Sequence, residues 1–493
     1  MRKVFPRISV FPRVFVFPRV LLLLCVFVFS ASSEITAQTK DTAYGEAIAV
    51  IDAWLDSQKD FQKLPGLSIA IVKDQQLVWS KGYGFADVQK KVPMEAGTLC
   101  SICSISKLFT SVAVMQLWEQ GKIRLDDSVS MYLPWFKVQQ DFESVPITIR
   151  ALLTHSAGLP RESKQGYWTD PFIFPTEKEI NDSLGKQHTI YPASTMFQYS
   201  NLGMSLLGEI VAKVSGMPYD KYVEEKILKP LGLVDTRPYM PKELWGNKLA
   251  VGYGGLQRDG VRRTMPFFQA NGIGPAAGFS SSALDLAKFA QWQLRLLNTA
   301  KMELLKPSTL KEMQRVQWVN PDGRSTWGLG FVIDDVAGAR YVGHDGSCPG
   351  YRTSVTIEPK TKWGVVVMVN AAGVDPGEYA ETIFRILNRY EADKVETIKS
   401  PRSLSDYAGI YNGMDWGSEW VYLPWKGRLL SMRFPSGDPL GANPALLKPT
   451  STPDQFRYIR RDDLPGQLVN FERDASGKVK RVVTNNNYSE KVR

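Results

Sequence analysis

The chain has 493 residues, of which 44% are apolar and 22% charged, and its formal net charge is +10. This composition is typical of globular proteins and excludes a disordered acidic protein, a collagen-like repeat and a disulfide-rich miniprotein. The length predicts two or three domains at about 100–200 residues each. Residues 1–37 contribute +4 of the charge and no dense run of Lys and Arg follows them, so nucleic-acid binding is not favoured.

The N-terminus has the pattern of an export signal. Basic residues precede an apolar run from Val20 to Ala31, and Ile35-Thr36-Ala37 offers a small-residue cleavage site. The run is shorter than the roughly 20 apolar residues that span a membrane. The sequence therefore predicts a signal peptide over 1–37 and a protein exported to the periplasm or the outside of a bacterial cell. Membrane contact is expected only through an uncleaved leader.

The pattern of residues 38–395 predicts an α+β domain. Apolar periodicity predicts helices over 44–59, 104–119, 283–297 and 378–390, and strands over 67–73, 77–83, 327–334, 340–342, 353–358 and 364–370. The segment 147–238 is helical with Pro and Gly breaks, and its polar, aromatic part at 160–192 is expected to form a surface loop or lid. Because strands bracket a helical middle, we expect one antiparallel sheet formed from both ends of the domain and flanked by a helical region.

Short aromatic strands recur beyond a polar linker at 391–402. They are predicted over 409–411, 419–423, 428–433, 455–460, 467–472 and 478–484. The pattern predicts a small, barrel-like all-β domain over 402–493.

Cysteines and histidines do not form a metal-binding pattern. After the leader the chain keeps Cys100, Cys103 and Cys348, and its histidines are His155, His188 and His344. An odd number of cysteines excludes a complete disulfide framework, and no His pair has helical spacing. Neither a metal site nor another cofactor is predicted.

The candidate nucleophile belongs to a Ser-x-x-Lys sequence, Ser104 and Lys107, at the start of the strongest predicted helix. Residues three apart share one face of a helix, so the amine and the hydroxyl are expected to lie side by side. The chain contains no Gly-x-Ser-x-Gly sequence of the kind that carries the serine of many His-dependent hydrolases. Ser183 and Ser308 also have a Lys three residues later, but both lie in polar segments.

A second element is Tyr199-Ser200-Asn201, which precedes another apolar helix. A tyrosine near an ammonium is expected to have a lowered pKa and to serve as a general base. The amide of Asn201 is suited to orient the Lys or a substrate. The alternative is a helix-entry tyrosine followed by an Asn cap.

A third element is Gly-His-Asp-Gly-Ser at 343–347, on a predicted strand edge. Glycines there let a substrate backbone approach an open strand. The Ser347 N–H would then pair with the Ser104 N–H as an oxyanion hole. The alternative is a plain glycine-rich turn.

In this order, Ser-x-x-Lys, Tyr-x-Asn and His-x-Gly resemble the serine β-lactamase-like superfamily, and within it the group of class C β-lactamases, D-aminopeptidases, DD-carboxypeptidases and esterases. Further stretches that resemble this group are PGLSIAIVKDQQLVWSKGYG (65–84), LLTHSAGLP (152–160), YSNLGMSLLGEIV (199–211), AAGFSSSALDLAKFAQ (276–291) and HDGSCPGYRTSV (344–355). The resemblance covers residues 45–390, and 405–493 is similar to a small β-domain often appended in this group.

The resemblance implies four catalytic side chains, which are the nucleophile Ser104, its activating partner Lys107, the base Tyr199 that also protonates the leaving group, and the orienting amide Asn201. Whether Lys107 or Tyr199 takes the proton first stays open. It implies a substrate-binding and oxyanion strand with His344, Gly346 and Ser347.

The third element departs from the Lys-Thr-Gly of typical β-lactamases, whose cation helps to bind the substrate carboxylate. His344 is largely neutral at pH 7, and Asp345 adds a negative charge if its side chain points inward. The departure favours peptides, amides or esters over penicillins.

The expected function is an exported serine hydrolase that acts through an acyl-enzyme on a small-molecule or peptide substrate. The alternatives are a β-lactamase or penicillin-binding DD-carboxypeptidase, and a catalytically slow protein that binds cell-wall peptide. The sequence leaves open the natural substrate, the role of the C-terminal domain and the oligomeric state.

Three further features remain, and two of them have two interpretations. Cys103 and Cys348 adjoin the nucleophile and the oxyanion residue, and two separate small buried side chains are favoured over a pair of neighbours. His155 is expected to be a loop histidine bonded to backbone. The lid aromatics either line an apolar cleft or pack the lid onto the body; they are Tyr167, Trp168, Phe172 and Phe174.

Overall fold

The computed structural model describes residues 43–163, 166–320, 323, 326–412, 417–441, 445–460, 462 and 464–493, and these belong to one compact unit. The predicted signal peptide at 1–37 lies outside the described residues. Within them, no helix is long and apolar enough to cross a membrane.

The helices are α1 (Gly45–Phe61), α2 (Ser106–Glu119), α3 (Val129–Tyr132), α4 (Ile149–Leu153), α5 (Glu177–Leu184), α6 (Asn201–Ser215), α7 (Tyr219–Val223), α8 (Gly274–Ala277), α9 (Ala283–Leu297), α10 (Pro307–Met313) and α11 (Pro376–Ala392). The strands of the larger part are β1 (Gly66–Lys73), β2 (Gln76–Asp87), β3 (Val92–Pro93), β4 (Cys100–Ser101), β5 (Ser280–Ser281), β6 (Trp318–Val319), β7 (Thr326–Trp327), β8 (Val332–Val336), β9 (Ala339–Cys348), β10 (Tyr351–Glu358) and β11 (Trp363–Val369). The C-terminal strands are β12 (Gly409–Asn412), β13 (Glu419–Trp425), β14 (Arg428–Phe434), β15 (Ala445–Pro449), β16 (Gln455–Ile459), β17 (Pro465–Arg473), β18 (Val479–Thr484) and β19 (Asn487–Lys491).

The central sheet is antiparallel and has the strand order β3-β2-β1-β11-β10-β9-β8-β7-β6. Strand β1 from the start of the chain pairs with β11 from its later part, with Leu67 opposite Val369. Helices α2 to α10 are inserted between β3 and β6. The sheet therefore joins segments that are distant in sequence. The chain leaves the sheet after β3, forms the helical region and returns to the sheet at β6.

Both faces of the sheet are covered, because alternate residues of its central strands enter two different cores. Val366 and Met368 of β11 pack into the core that contains α2, α6 and α9. Val365, Val367 and Val369 pack with α1 and α11 on the opposite face. Burial on both faces requires an unbroken apolar run, which explains the sequence of β11.

The C-terminal residues form a closed antiparallel barrel in the order β12 to β19. Its interior is filled largely by aromatic side chains, among them Tyr407, Tyr411, Phe456 and Phe471. Strands β15 and β19 are absent from the sequence prediction. The barrel closes by pairing β19 with β12 at its other end, and no local pattern encodes such a contact.

The barrel packs on the body of the protein through α1 and α11. Trp425 of β13 is buried, lies edge-on to Tyr390 with ring centroids 5.0 Å apart, and donates its indole N–H to Asp393. Trp54 of α1 donates to the backbone carbonyl of Ser436. Indole rings with bonded N–H groups thus fill the junction.

We expect Trp425→Ala to destabilise the protein by about 3–5 kcal/mol, because it removes a buried aromatic side chain and leaves a cavity at this junction. Urea unfolding followed by circular dichroism measures the loss. The matched control is Trp135→Ala, since Trp135 is exposed. A Trp425→Ala protein as stable as this control would contradict the packing.

Candidate active site

Ser104 lies on a short 3-10 turn, Cys103–Ile105, that leads into α2. The sequence predicts an α-helix from Ser104, but the α-helix begins at Ser106. A 3-10 turn, which is wound more tightly than an α-helix, is frequent at helix N-termini. Lys107 is in the first turn of α2, and its amine still lies beside the Ser104 hydroxyl.

The amine of Lys107 is fully buried and has three neighbours. Nζ lies 3.2 Å from Ser104 Oγ, 2.7 Å from Asn201 Oδ1 and 2.8 Å from the Ala276 carbonyl oxygen. Burial lowers the pKa of Lys107 well below its usual range, because an ammonium loses its hydration there. The neutral amine is therefore favoured, and a neutral amine can accept a proton.

Tyr199 stands next to α6, whose first turn is capped by the Ser200 hydroxyl accepting the Gly203 N–H. The Tyr199 ring packs on His155 with centroids 4.4 Å apart, and the Ser104 hydroxyl acts to lower the pKa of the phenol. His155 accepts the Ser200 N–H at Nδ1, which confirms a loop histidine bonded to backbone. Burial raises the pKa of Tyr199, so the expected lowering is wrong: the phenol loses more from desolvation than it gains from nearby positive charge.

Strand β9 carries the third motif and is longer than the predicted strand at 340–342. Strand β8 pairs with it only as far as Gly343, so the motif has β10 on one side and an edge against the Ser104 turn. A Cβ on Gly346 would lie 2.3 Å from the Ile102 carbonyl oxygen, so only glycine allows this approach. Ser104 and Ser347 line the same cleft, as an oxyanion hole requires.

His344 is a neutral residue at this edge. Its Nδ1–H donates to the Asp345 carbonyl oxygen at 2.6 Å, which leaves Nε2 as an acceptor with no hydrogen-bond partner in the described part of the chain. Burial, with Lys107 nearby, lowers the pKa of His344 to about 3. The Asp345 side chain does not point inward, since it lies beside Gly377 at the start of α11. The third motif therefore brings no positive charge to the site, and the Asp345 carboxylate acts on it only through its charge, which contributes to raising the pKa of Tyr199.

Cys103 and Cys348 form a disulfide, with Cα atoms 5.7 Å apart. The interpretation as two separate buried side chains is wrong, because the approach of β9 to the nucleophile turn joins residues 245 apart in sequence. The bond links the residue before Ser104 to the residue after Ser347, so it restrains the distance between their backbone N–H groups. Cys100 is buried and free.

The cleft at Ser104 has a volume of about 610 Å³, and Arg161 and Arg352 lie in its wall. Sequence reasoning missed both arginines. Each lies in or next to a stretch that resembles the family, Arg161 directly after LLTHSAGLP and Arg352 inside HDGSCPGYRTSV. The cation that the third motif lacks is thus present at other positions of the same cleft.

The lid aromatics divide between the two expected roles. Trp168 and Phe172 line the cleft, whereas Tyr167 and Phe174 are buried in the core beneath it. Tyr167 also donates a hydrogen bond to Glu162, a further residue that sequence reasoning missed. Among the described residues no group of three or more His, Cys, Asp or Glu side chains is arranged to hold a metal ion.

The profile of the Beta-lactamase family matches residues 51–387. Protein flp of Staphylococcus aureus (strain NCTC 8325 / PS 47) is 29% identical over 319 residues, and the match covers 64% of this chain and 61% of that relative.

Two solved structures are similar to this fold. The octameric penicillin-binding protein homologue from Pyrococcus abyssi is 25% identical with a TM-score of 0.62, covering 90% of this chain and 100% of that one. The D-amino acid amidase from Ochrobactrum anthropi SV3 is 23% identical with a TM-score of 0.59, covering 70% of this chain and 99% of that one. The second likeness shows the fold alone.

Thiol titration tests the disulfide. In protein that lacks residues 1–37 we expect one free thiol after denaturation, that of Cys100, and three after reduction. The double variant Cys103→Ala/Cys348→Ala is expected to lose about 2–5 kcal/mol of unfolding free energy, because the bond closes a long loop. Cys100→Ala is the control that keeps the bond. Three free thiols before reduction would contradict the pairing.

Proposed function

The chain belongs to the Beta-lactamase family, and on that premise we propose that it is an exported serine hydrolase that forms an acyl-enzyme on Ser104. Its substrates are small amides, peptides or esters. The observation that carries the proposal is the contact of a buried amine with the serine hydroxyl, since Lys107 Nζ lies 3.2 Å from Ser104 Oγ. A serine hydroxyl needs such a neighbouring base to become a nucleophile.

Lys107 accepts the Ser104 proton as Oγ attacks the acyl carbon. Asn201 Oδ1 and the Ala276 carbonyl occupy two directions around Nζ, so the two hydrogens of a neutral amine point to them and its lone pair faces Ser104. Burial keeps Tyr199 protonated. These contacts favour Lys107 over Tyr199 as the first base, a choice that the sequence leaves open.

Tyr199 then donates its proton to the leaving group and is reprotonated from Lys107. The backbone N–H groups of Ser104 and Ser347 stabilise the oxyanion that forms at the acyl carbon. In the second half, water attacks the ester, its proton passes to the amine, and Ser104 leaves with a proton as the acid product is released. Every proton taken from a nucleophile is thereby returned to a leaving group.

Arg161 and Arg352 favour substrates that carry an anionic group, because a charged hydrogen bond is worth about 1.5–3 kcal/mol. They offer the charge that neutral His344 lacks. A β-lactamase or penicillin-binding DD-carboxypeptidase is the second candidate, favoured by these arginines and by the likeness to the Pyrococcus abyssi protein. Turnover of p-nitrophenyl esters, D-amino-acid amides, D-Ala-D-Ala peptides and nitrocefin distinguishes the candidates.

Two features support export. The leader has a basic segment, an apolar run and a small-residue cleavage site. The Cys103–Cys348 disulfide is of a kind that persists mainly in oxidising compartments such as the periplasm.

Labelling with a fluorescent fluorophosphonate tests the nucleophile. We expect the wild-type protein to form one adduct on Ser104 and Ser104→Ala to form none, because the buried Lys107 amine lies beside that hydroxyl. Ser183→Ala and Ser308→Ala, which remove the other serines with a Lys three residues later, are the matched controls and should label normally. An adduct that peptide mass spectrometry maps to Ser183 or Ser308 would contradict the assignment.

Lys107→Ala and Tyr199→Phe test the proton path. Each is expected to lower kcat by at least ~10²-fold, the scale of acid–base assistance. Their effects should be non-additive, because both groups move the same proton. Since the amine must be neutral, wild-type kcat/KM should be high at neutral pH and fall as the pH drops through the lowered pKa of Lys107. Additive losses in the double variant would contradict a shared path.

A further inference from the structure

Glu162 lies between α4 and α5, and three donors converge on its carboxylate. Asn201 Nδ2 donates to Oε1 at 2.6 Å, Arg161 Nε lies 3.1 Å from the same oxygen, and the Tyr167 hydroxyl donates to Oε2. The Glu162 side chain is only 17% exposed, so these contacts replace water. We infer that Glu162 is a positioning residue that orients Asn201 and, through it, the amine that activates Ser104; the inference rests on the proposed function.

The two ends of an Asn side chain have similar shapes but opposite hydrogen-bonding roles. A carboxylate only accepts hydrogen bonds, so the end of Asn201 that faces Glu162 has to be the NH₂ group. The carbonyl end then faces Lys107, where Oδ1 lies 2.7 Å from Nζ. A reversed amide would present N–H groups to the amine. The lone pair of the amine would then accept a hydrogen bond from Asn201 and would no longer face Ser104. Glu162 thus excludes the unproductive orientation.

Glu162 also acts on the charge of the same amine. Its negative charge favours the protonated form of Lys107, and the neighbouring Arg161 acts in the opposite sense. The other titratable groups around the amine are Tyr199, whose pKa burial raises, and the neutral His344. Removing the Glu162 charge should therefore lower the pKa of Lys107.

His155 is a further titratable group near the Lys107 amine. Burial lowers its pKa well below the usual range, and the proximity of Lys107 lowers it further. It stays neutral as the pH falls and adds no titration of its own near neutrality. In a plot of labelling rate against pH, the acidic limb is the fall in rate as the pH drops. A shift of this acidic limb in a Glu162 variant thus reports on the pKa of Lys107.

The experiment measures the rate of fluorophosphonate labelling of Ser104 against pH in protein that lacks residues 1–37, for wild type, Glu162→Gln and Glu162→Ala. In Glu162→Gln the amide oxygen still accepts from Asn201, so we expect most of the limiting rate to remain while the acidic limb moves to lower pH. In Glu162→Ala the limb moves the same way, and the limiting rate falls roughly 10- to 100-fold because the Asn201 amide is free to reverse. Apparent affinity for the probe should change little.

Glu177→Gln is the matched control, because Glu177 is exposed at the start of α5 and away from the cleft, and its profile should match wild type. Thermal unfolding of each variant is measured in parallel. A Glu162→Ala protein with the wild-type rate and acidic limb would overturn the inference. A lower rate with an unmoved limb would also overturn it, since it would show that Glu162 only supports the loop.

The proposed function fails in a distinguishable way. A wild-type protein that is not labelled at Ser104 would contradict the acyl-enzyme itself, and the role of Glu162 would fall with it. Normal wild-type labelling that is lost in Ser104→Ala, together with unchanged Glu162 variants, would contradict only the positioning role.

Discussion

The burial of the Lys107 amine is the constraint on which the rest of the site depends. Removing an ammonium from water costs several kcal/mol, so this position favours a neutral amine and surrounds it with acceptors. Helix α2, which carries the lysine, is buried along nearly its whole length. The amine therefore cannot leave Ser104 without opening the core, and the fold holds the proposed base next to the proposed nucleophile.

Three segments far apart in the chain meet at this amine: the turn before α2, the start of α6 and Ala276 of α8. The first two are fixed by contacts of their own. The turn before α2 is tied to β9 by the Cys103–Cys348 disulfide and to β10 by Thr353, which donates to the Ile102 carbonyl. The start of α6 is held by the Ser200 cap and by His155. Sites held on packed elements keep their geometry better than sites on free loops. The cleft side of the site, in contrast, includes Trp168 and Phe172, which belong to the segment between α4 and α5.

Local chemistry was predictable from the sequence, because short spacings determine which side chains share a helix turn. The cap of α6 is Ser200 rather than the Asn of the alternative interpretation, and β9 runs through the third motif, beyond the predicted strand at 340–342. The contact between Ser104 and Lys107 does follow from such a spacing. Contacts across the fold do not: the disulfide, Arg352 in the cleft wall and the closing strand β19 depend on which distant segments meet. The pKa of Tyr199 was misjudged for the same reason, since burial by other segments outweighs the charge of a neighbour.

The most direct test of the central claim is a crystal structure of the protein labelled by a phosphonate. The account predicts phosphorus bonded to Ser104 Oγ, a phosphonyl oxygen within hydrogen-bonding distance of both the Ser104 and Ser347 N–H groups, and the Lys107 amine still bonded to Asn201 and Ala276. An adduct on another residue, or a phosphonyl oxygen turned away from these two N–H groups, would contradict it.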